Sequence, residues 1–160
     1  MRSLVWLRND LRVRDNPALY KASQQSVRQS VQQSVQSAAD QTAQGDGVVA
    51  VYIHCAAYVR LHGQAPAQLD FIRRHLLLMR KNLAELNIPF IVVRVATPAE
   101  IPAALLNIAQ AVNAQYCFFN AEYPLNELKR DGAVNQLLQS EGIAVKRCHD
   151  RCIVPPGMIR

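Results

Sequence analysis

Five short apolar runs, separated by longer amphipathic stretches, constrain this chain more than any other feature. Ser3 to Leu7, Val48 to Ile53, Pro89 to Val95, Tyr116 to Phe119 and Ala144 to Lys146 are near-continuous in hydrophobicity rather than alternating. A strand with one wet face alternates with period two, so such runs read as strands covered on both faces, the habit of a parallel sheet. Between them, Leu69, Ile72, Leu76, Met79, Leu83 and Leu86 advance by three and four, one helical stripe, with Arg73, Arg74, Arg80 and Lys81 mostly outside it. Thr97-Pro98-Ala99-Glu100 supplies a cap residue, Pro at the first helical position and Glu at the third, opening a helix striped by Ile101, Leu105, Ile108 and Val112. Asp15-Asn16-Pro17 opens another in the same way. A further helix spans about Leu125 to Ser140 and stops near Gly142, with Leu128, Val134, Leu137 and Leu138 turned inward.

Strand and helix alternate and the series ends on a strand. Right-handed crossovers then predict an α/β fold, a single-domain, doubly wound, Rossmann-like sheet of five parallel strands and four crossover helices. Its ligand edge is the one formed by the strands' C-terminal ends. One stretch departs from the pattern: residues 23–44 are almost wholly Gln, Ser, Val and Ala, with Gln-Ser-Val recurring every four residues. That repeat either prolongs the first helix outward or leaves part of the segment disordered.

With 160 residues, half of them apolar, the chain is long enough to bury a core, and fibrous and wholly disordered classes are excluded. No run approaches the roughly 20 apolar residues of a membrane span, and no signal-peptide pattern opens the chain. A cytoplasmic protein without a membrane partner is expected. Net charge is +6, from 18 Lys plus Arg against 12 Asp plus Glu, a balance that favours polyanions. Apart from Arg2, Arg8, Arg12 and Arg14 the charge is dispersed, which reads as a solvated surface. Cys55, Cys117, Cys148 and Cys152 form no secreted framework. The C-x3-C pair around His149 lacks a second ligand pair, so reduced thiols without a metal are expected.

Much familiar chemistry is missing. There is no Gly-x-Gly-x-x-Gly after the first strand, no Gly-x4-Gly-Lys-Ser/Thr, no Gly-x-Ser-x-Gly and no His-Glu-x-x-His. Dinucleotide and P-loop cradles, acyl transfer and zinc hydrolysis therefore lack their supports, and no residue is assigned a catalytic role. Polar residues remain where strands end: Arg8 and Asp10 after the first, His54 after the second, and Asn120, Glu122, Asn126 and Glu127 after the fourth. Asn126 and Glu127 offer an amide and a carboxylate that either grip a heterocycle or cap and solvate the last helix. His62, in a loop with Gly and Pro, is either a ligand contact or merely exposed.

The first strand and its loop carry a resemblance. Leu4-Val5-Trp6-Leu7-Arg8-Asn9-Asp10-Leu11-Arg12-Val13-Arg14-Asp15-Asn16-Pro17-Ala18-Leu19 resembles the opening signature of the DNA photolyase/cryptochrome family, W-F-R-x-D-L-R-x-x-D-N-x-A-L, with Leu7 in place of Phe. Val49 to Ile53, Phe118-Phe119-Asn120 with Lys129-Arg130-Asp131, and Val154-Pro155-Pro156-Gly157 agree as well, so the resemblance covers the whole chain except the repeat, which looks like an insertion. It implies the N-terminal antenna domain of a class I CPD-type photolyase. In that family a helical domain holding FAD follows, beginning about where this chain stops, so the fragment alone is expected to be monomeric and catalytically silent. The resemblance further implies that His62, Asn126 and Glu127 contact methenyltetrahydrofolate, which passes excitation energy to FAD for repair of pyrimidine dimers in damaged DNA. Glu122-Tyr123-Pro124-Leu125 does not fit the Asp-x-Glu-Pro run of deazaflavin-type members. A cryptochrome-type blue-light receptor domain, a nucleotide-binding α/β module and a bare nucleic-acid-binding module are the other readings.

Overall fold

The structure is a computed structural model that describes residues 2–34, 47–152 and 154. In chain order its elements are β1 (Arg2–Leu7), α1 (Pro17–Ser34), β2 (Gly47–Cys55), α2 (Ala56–Leu61), α3 (Pro66–Glu85), β3 (Phe90–Val95), a 3-10 turn (Pro98–Glu100), α4 (Ile101–Ala111), β4 (Ala114–Asn120), α5 (Leu125–Ser140) and β5 (Ala144–Cys148). All strand pairs are parallel, in the order β3-β2-β1-β4-β5, so the doubly wound five-stranded sheet expected from the apolar runs is present. The chain leaves β1 toward β2 and β3, then crosses back to lay β4 on the other side of β1. Ligand crevices in such sheets open above the C-terminal ends of the strands that flank this reversal, here β1 and β4.

The strand period divides the core. Leu4 and Trp6 point to one face and pack with Val51, Phe119, Leu105 of α4 and Val134 and Leu138 of α5. Val5 and Leu7 point to the other and pack with Ala18 and Ala22 of α1 and Met79 and Leu83 of α3. Both faces of β1 are therefore dry, which is why its sequence does not alternate.

Several sequence expectations change in detail. The capping box forms, with Glu100 Oε1 accepting the Thr97 backbone N–H at 3.1 Å, but it opens a 3-10 turn before α4 begins. Leu128 is exposed (37%) rather than inward: the buried face of α5 begins one turn later, with Asp131, which meets Arg8. Leu86 is exposed (52%): it lies past the last residue of α3, and its neighbour Ile88 turns in instead. Among the described residues the four expected crossover helices become five helices, because α2 forms where the sequence reads as loop. α5 ends as expected, Gly142 adopting φ +76° while the Ile143 N–H returns to the Leu138 carbonyl at 2.9 Å. The first part of the Gln/Ser/Val repeat prolongs α1 as far as Ser34, and positions 35–44 of the repeat lie outside the described residues.

Candidate functional site

The polar residues after β1 and β4 form a buried knot. Arg8 donates to Asp131 Oδ1 at 2.6 Å and to the Asn120 carbonyl, and its guanidinium lies 3.5 Å from Glu122 Oε2. Arg130, one position before Asp131 on α5, donates at 2.8 Å to both Glu122 Oε2 and Asp131 Oδ1. Asn9 donates to Glu122 Oε1 at 2.7 Å. Two cations thus face two carboxylates out of water, where either alone is costly and the set is tolerable. Burial pushes the Glu122 carboxyl up, but the charge of Arg8 and the hydrogen bond and charge of Arg130 outweigh it, and the net pKa lies below the usual carboxylate value. Both guanidiniums rest over the Trp6 ring, 4.6 Å (Arg8) and 4.8 Å (Arg130) from its centroid.

A second set of bonds explains the rest of the β1 signature. Asp10 Oδ1 accepts the Arg8 backbone N–H at 2.7 Å, and its Oδ2 accepts from the Asn120 amide at 2.6 Å. Asn120 Oδ1 in turn accepts the Ala18 N–H at 3.0 Å, while Asn16 Oδ1 accepts both the Asn120 amide at 2.8 Å and the Leu19 N–H at 3.2 Å, capping α1. The Arg-x-Asp and Asp-Asn-x-Ala-Leu segments are therefore a clamp that joins the β1–α1 turn to the end of β4.

Beside this knot, between α2 and the first turns of α5, lies a cavity of about 250 Å³. Trp6 and Arg8 contribute to it from the end of β1, Cys55, Tyr58 and His62 from β2 and α2, and Glu122, Glu127 and Arg130 from α5 and the loop before it. His62 caps the C-terminus of α2, its backbone N–H donating to the Tyr58 carbonyl at 3.0 Å, and its exposed ring stacks on Tyr58 with centroids 5.6 Å apart and planes 19° from parallel. Burial raises the Tyr58 phenol, opposed by Arg130 and assisted by Glu127, so its hydroxyl is a donor at neutral pH. Burial, then the charge of Arg94, pushes the His54 imidazole down, which favours a neutral ring in the cavity wall.

Of the three residues singled out in the sequence, His62 and Glu127 line this one cavity, and Asn126 is exposed on the first turn of α5 beside it. Neither Asn126 nor Glu127 caps α5, whose N-cap is Pro124. Sequence reasoning missed Trp6 and Tyr58 as wall residues. For Trp6 the available signal was its position at the C-terminal end of β1; for Tyr58, on α2 just after β2, it was masked because a six-residue helix shows no period. Cys148 is buried and Cys152 half-buried, both as free thiols. Among the described residues no group of three His, Cys, Asp or Glu side chains is arranged to hold a metal, and no helix is long and apolar enough to cross a membrane.

The family model described as DNA photolyase matches residues 3–160. A deoxyribodipyrimidine photo-lyase of Vibrio cholerae is 34% identical over 157 residues, covering 98% of this chain and 29% of the relative, and one of Salmonella typhimurium is 31% identical over 156 residues with the same coverage. The chain thus spans under a third of the length of these relatives. Among solved structures, a photolyase from Sulfolobus tokodaii with two FAD molecules superposes with a TM-score of 0.73 at 17% identity, covering 100% of this chain and 32% of that one. A cryptochrome from Synechocystis superposes at 0.71 and 21% identity, covering 92% and 27%. These likenesses repeat the parallel sheet, and the sequence matches extend from the β1 clamp to the segment after β5: the chain belongs to the DNA photolyase family.

Proposed function

We propose that this chain is the light-harvesting antenna domain of a deoxyribodipyrimidine photolyase and that it binds methenyltetrahydrofolate through His62, Asn126 and Glu127. FAD and the contact with damaged DNA belong, in this reading, to a helical domain further along a full-length chain. The observation that carries the reading is the convergence of His62, at the end of α2, with Glu127, on the first turn of α5, at the wall of one cavity on the ligand edge of the sheet.

The residues present fit a pterin. The Glu127 carboxylate would accept from the adjacent N–H groups of an aminopyrimidinone edge, Tyr58 would supply an aromatic wall beside the buried Trp6, and Asn126 would meet a polar tail. A bound folate would supply near-ultraviolet and blue absorption and pass the excitation energy to the flavin. The chain's own part is to bind, orient and partly shield the heterocycle. It carries out no proton or electron transfer in this reading: the buried ion pairs of Arg8, Glu122, Arg130 and Asp131 hold β1, β4 and α5 together.

The test is folate affinity and flavin-excited dimer repair of the full-length protein for Glu127→Gln and His62→Ala beside the wild type. A hydrogen bond to a charged group is worth about 1.5–3 kcal/mol, so Glu127→Gln should weaken folate binding about tenfold or more. Repair driven by direct flavin excitation should persist. Unchanged folate affinity in both variants would return these residues to a solvated helix turn and an exposed loop.

A further inference from the structure

We infer that the site is bipartite: next to the cavity between α2 and α5, a second seat on Phe71 takes a second aromatic ring carried by the same ligand. The inference rests on the antenna reading above and narrows the chemical class of the ligand to a heterocycle joined by a short link to another flat ring.

A second hollow, of about 200 Å³, adjoins the main cavity and shares Arg8, Asn9 and Tyr52 with it. These shared residues are the sill between the two, and the Asn9 side-chain amide is anchored to Glu122 Oε1 at 2.7 Å. Phe71 and His75 of α3 close the far side. A third hollow, about 420 Å³, is also lined by Phe71 and shares Gln64 with the main cavity.

Phe71 takes no part in the core. The inward stripe of α3 passes through Ile72, Leu76, Met79 and Leu83, and Phe71 is 68% exposed beside it. A single exposed ring is ordinary on a protein surface; what sets this one apart is that two hollows next to the main cavity meet it. The ring is also held in place. It stacks on His75 with centroids 5.9 Å apart and planes 13° from parallel, and the His75 ring nitrogen is bonded to the Leu11 carbonyl. An exposed aromatic face, oriented in advance and one sill away from a heterocycle site, is a stacking platform for a second ring. The aryl group of a folate and the adenine of a flavin dinucleotide share this chemistry.

Two ligand pairs that differ in the second ring distinguish the sources: methenyltetrahydrofolate against a tetrahydropterin, and FAD against FMN. Each is titrated into the wild-type protein and into Phe71→Ala. Because Phe71 is outside the core, the variant should unfold at the wild-type midpoint. The expected result is that the two-ring member of at least one pair binds about fivefold more tightly than its one-ring partner, and that Phe71→Ala removes this advantage without changing one-ring affinity. Equal affinity within both pairs overturns the second seat. So does an advantage that survives Phe71→Ala, which would make the ring a surface for another part of a longer chain. A Phe71-dependent preference for FAD in a protein that does not bind folate keeps the bipartite site and sinks the folate reading. Folate binding that needs Glu127 and ignores Phe71 does the reverse.

Discussion

The C-terminal edge of the sheet has two halves built on opposite principles. Above β1 and β4, side chains from four segments are locked to one another: Arg8, Glu122, Arg130 and Asp131 by charge, and Asp10, Asn16 and Asn120 by hydrogen bonds. Above β2, α2 has no buried residue and is tied to the body chiefly through Tyr58 and Ala57 at the margin of the larger core cluster. The cavity lies where the two halves meet, so one of its walls is fixed by the fold and the other is adjustable. A ligand site benefits from this division, since a fixed donor–acceptor set supplies specificity and a weakly held wall can close on what it recognises.

The most severe way to break the fixed half is Asp131→Ala. It leaves Arg8 and Arg130 facing only Glu122 in a buried place, a loss of about 3–5 kcal/mol by analogy with other half-removed buried pairs. Denaturant unfolding measures it, and a loss below about 1 kcal/mol would mean that water takes over the role of the carboxylate. Acid acts on the same half. The Glu122 carboxyl titrates lower in the folded chain than in the unfolded one, so the unfolded state binds its proton first as pH falls. Its contribution is complete above the ordinary carboxylate value near about 4.3 and is lost as pH falls through the lower folded value. Unfolding midpoints between neutral pH and that acid range should therefore fall less steeply in Glu122→Gln, and parallel curves for the two proteins would exclude Glu122 as a source of acid sensitivity.

At the junction, Glu127→Gln should separate binding from stability. Glu127 is half-buried and outside the knot, so the unfolding midpoint should stay within about 0.5 kcal/mol of wild type while folate affinity drops. A parallel loss of both would place Glu127 in the fixed half. The smallest effect belongs to the adjustable half: Leu61→Ser at the end of α2, 68% exposed, should change stability by no more than about 0.5 kcal/mol. A drop of 2 kcal/mol or more, about the cost of a core truncation, would show that α2 is packed as firmly as the knot.

The amino-acid sequence by itself determined the sheet. Strand positions, parallel pairing and the principal helices are written in local periodicity, because a segment dry on both faces must be apolar throughout and a helix on a sheet must carry a stripe every three or four residues. It also held the β1 signature, legible as a motif but not as a clamp, since the partners of Asp10 and Arg8 are Asn120 and Asp131, more than a hundred residues away. What only the tertiary structure decided is non-local. Leu128 satisfies the stripe and is nonetheless exposed, while one turn later on the same face a carboxylate, Asp131, is buried against Arg8. The sequence marked His62 and Glu127 separately, as a loop histidine and a helix-start carboxylate. The crossover of α4 and the return of β4 to the side of β1 bring them to one cavity, with Trp6 beneath and Phe71 one sill away. Periodicity reports which face of an element is dry, and only packing reports which faces meet.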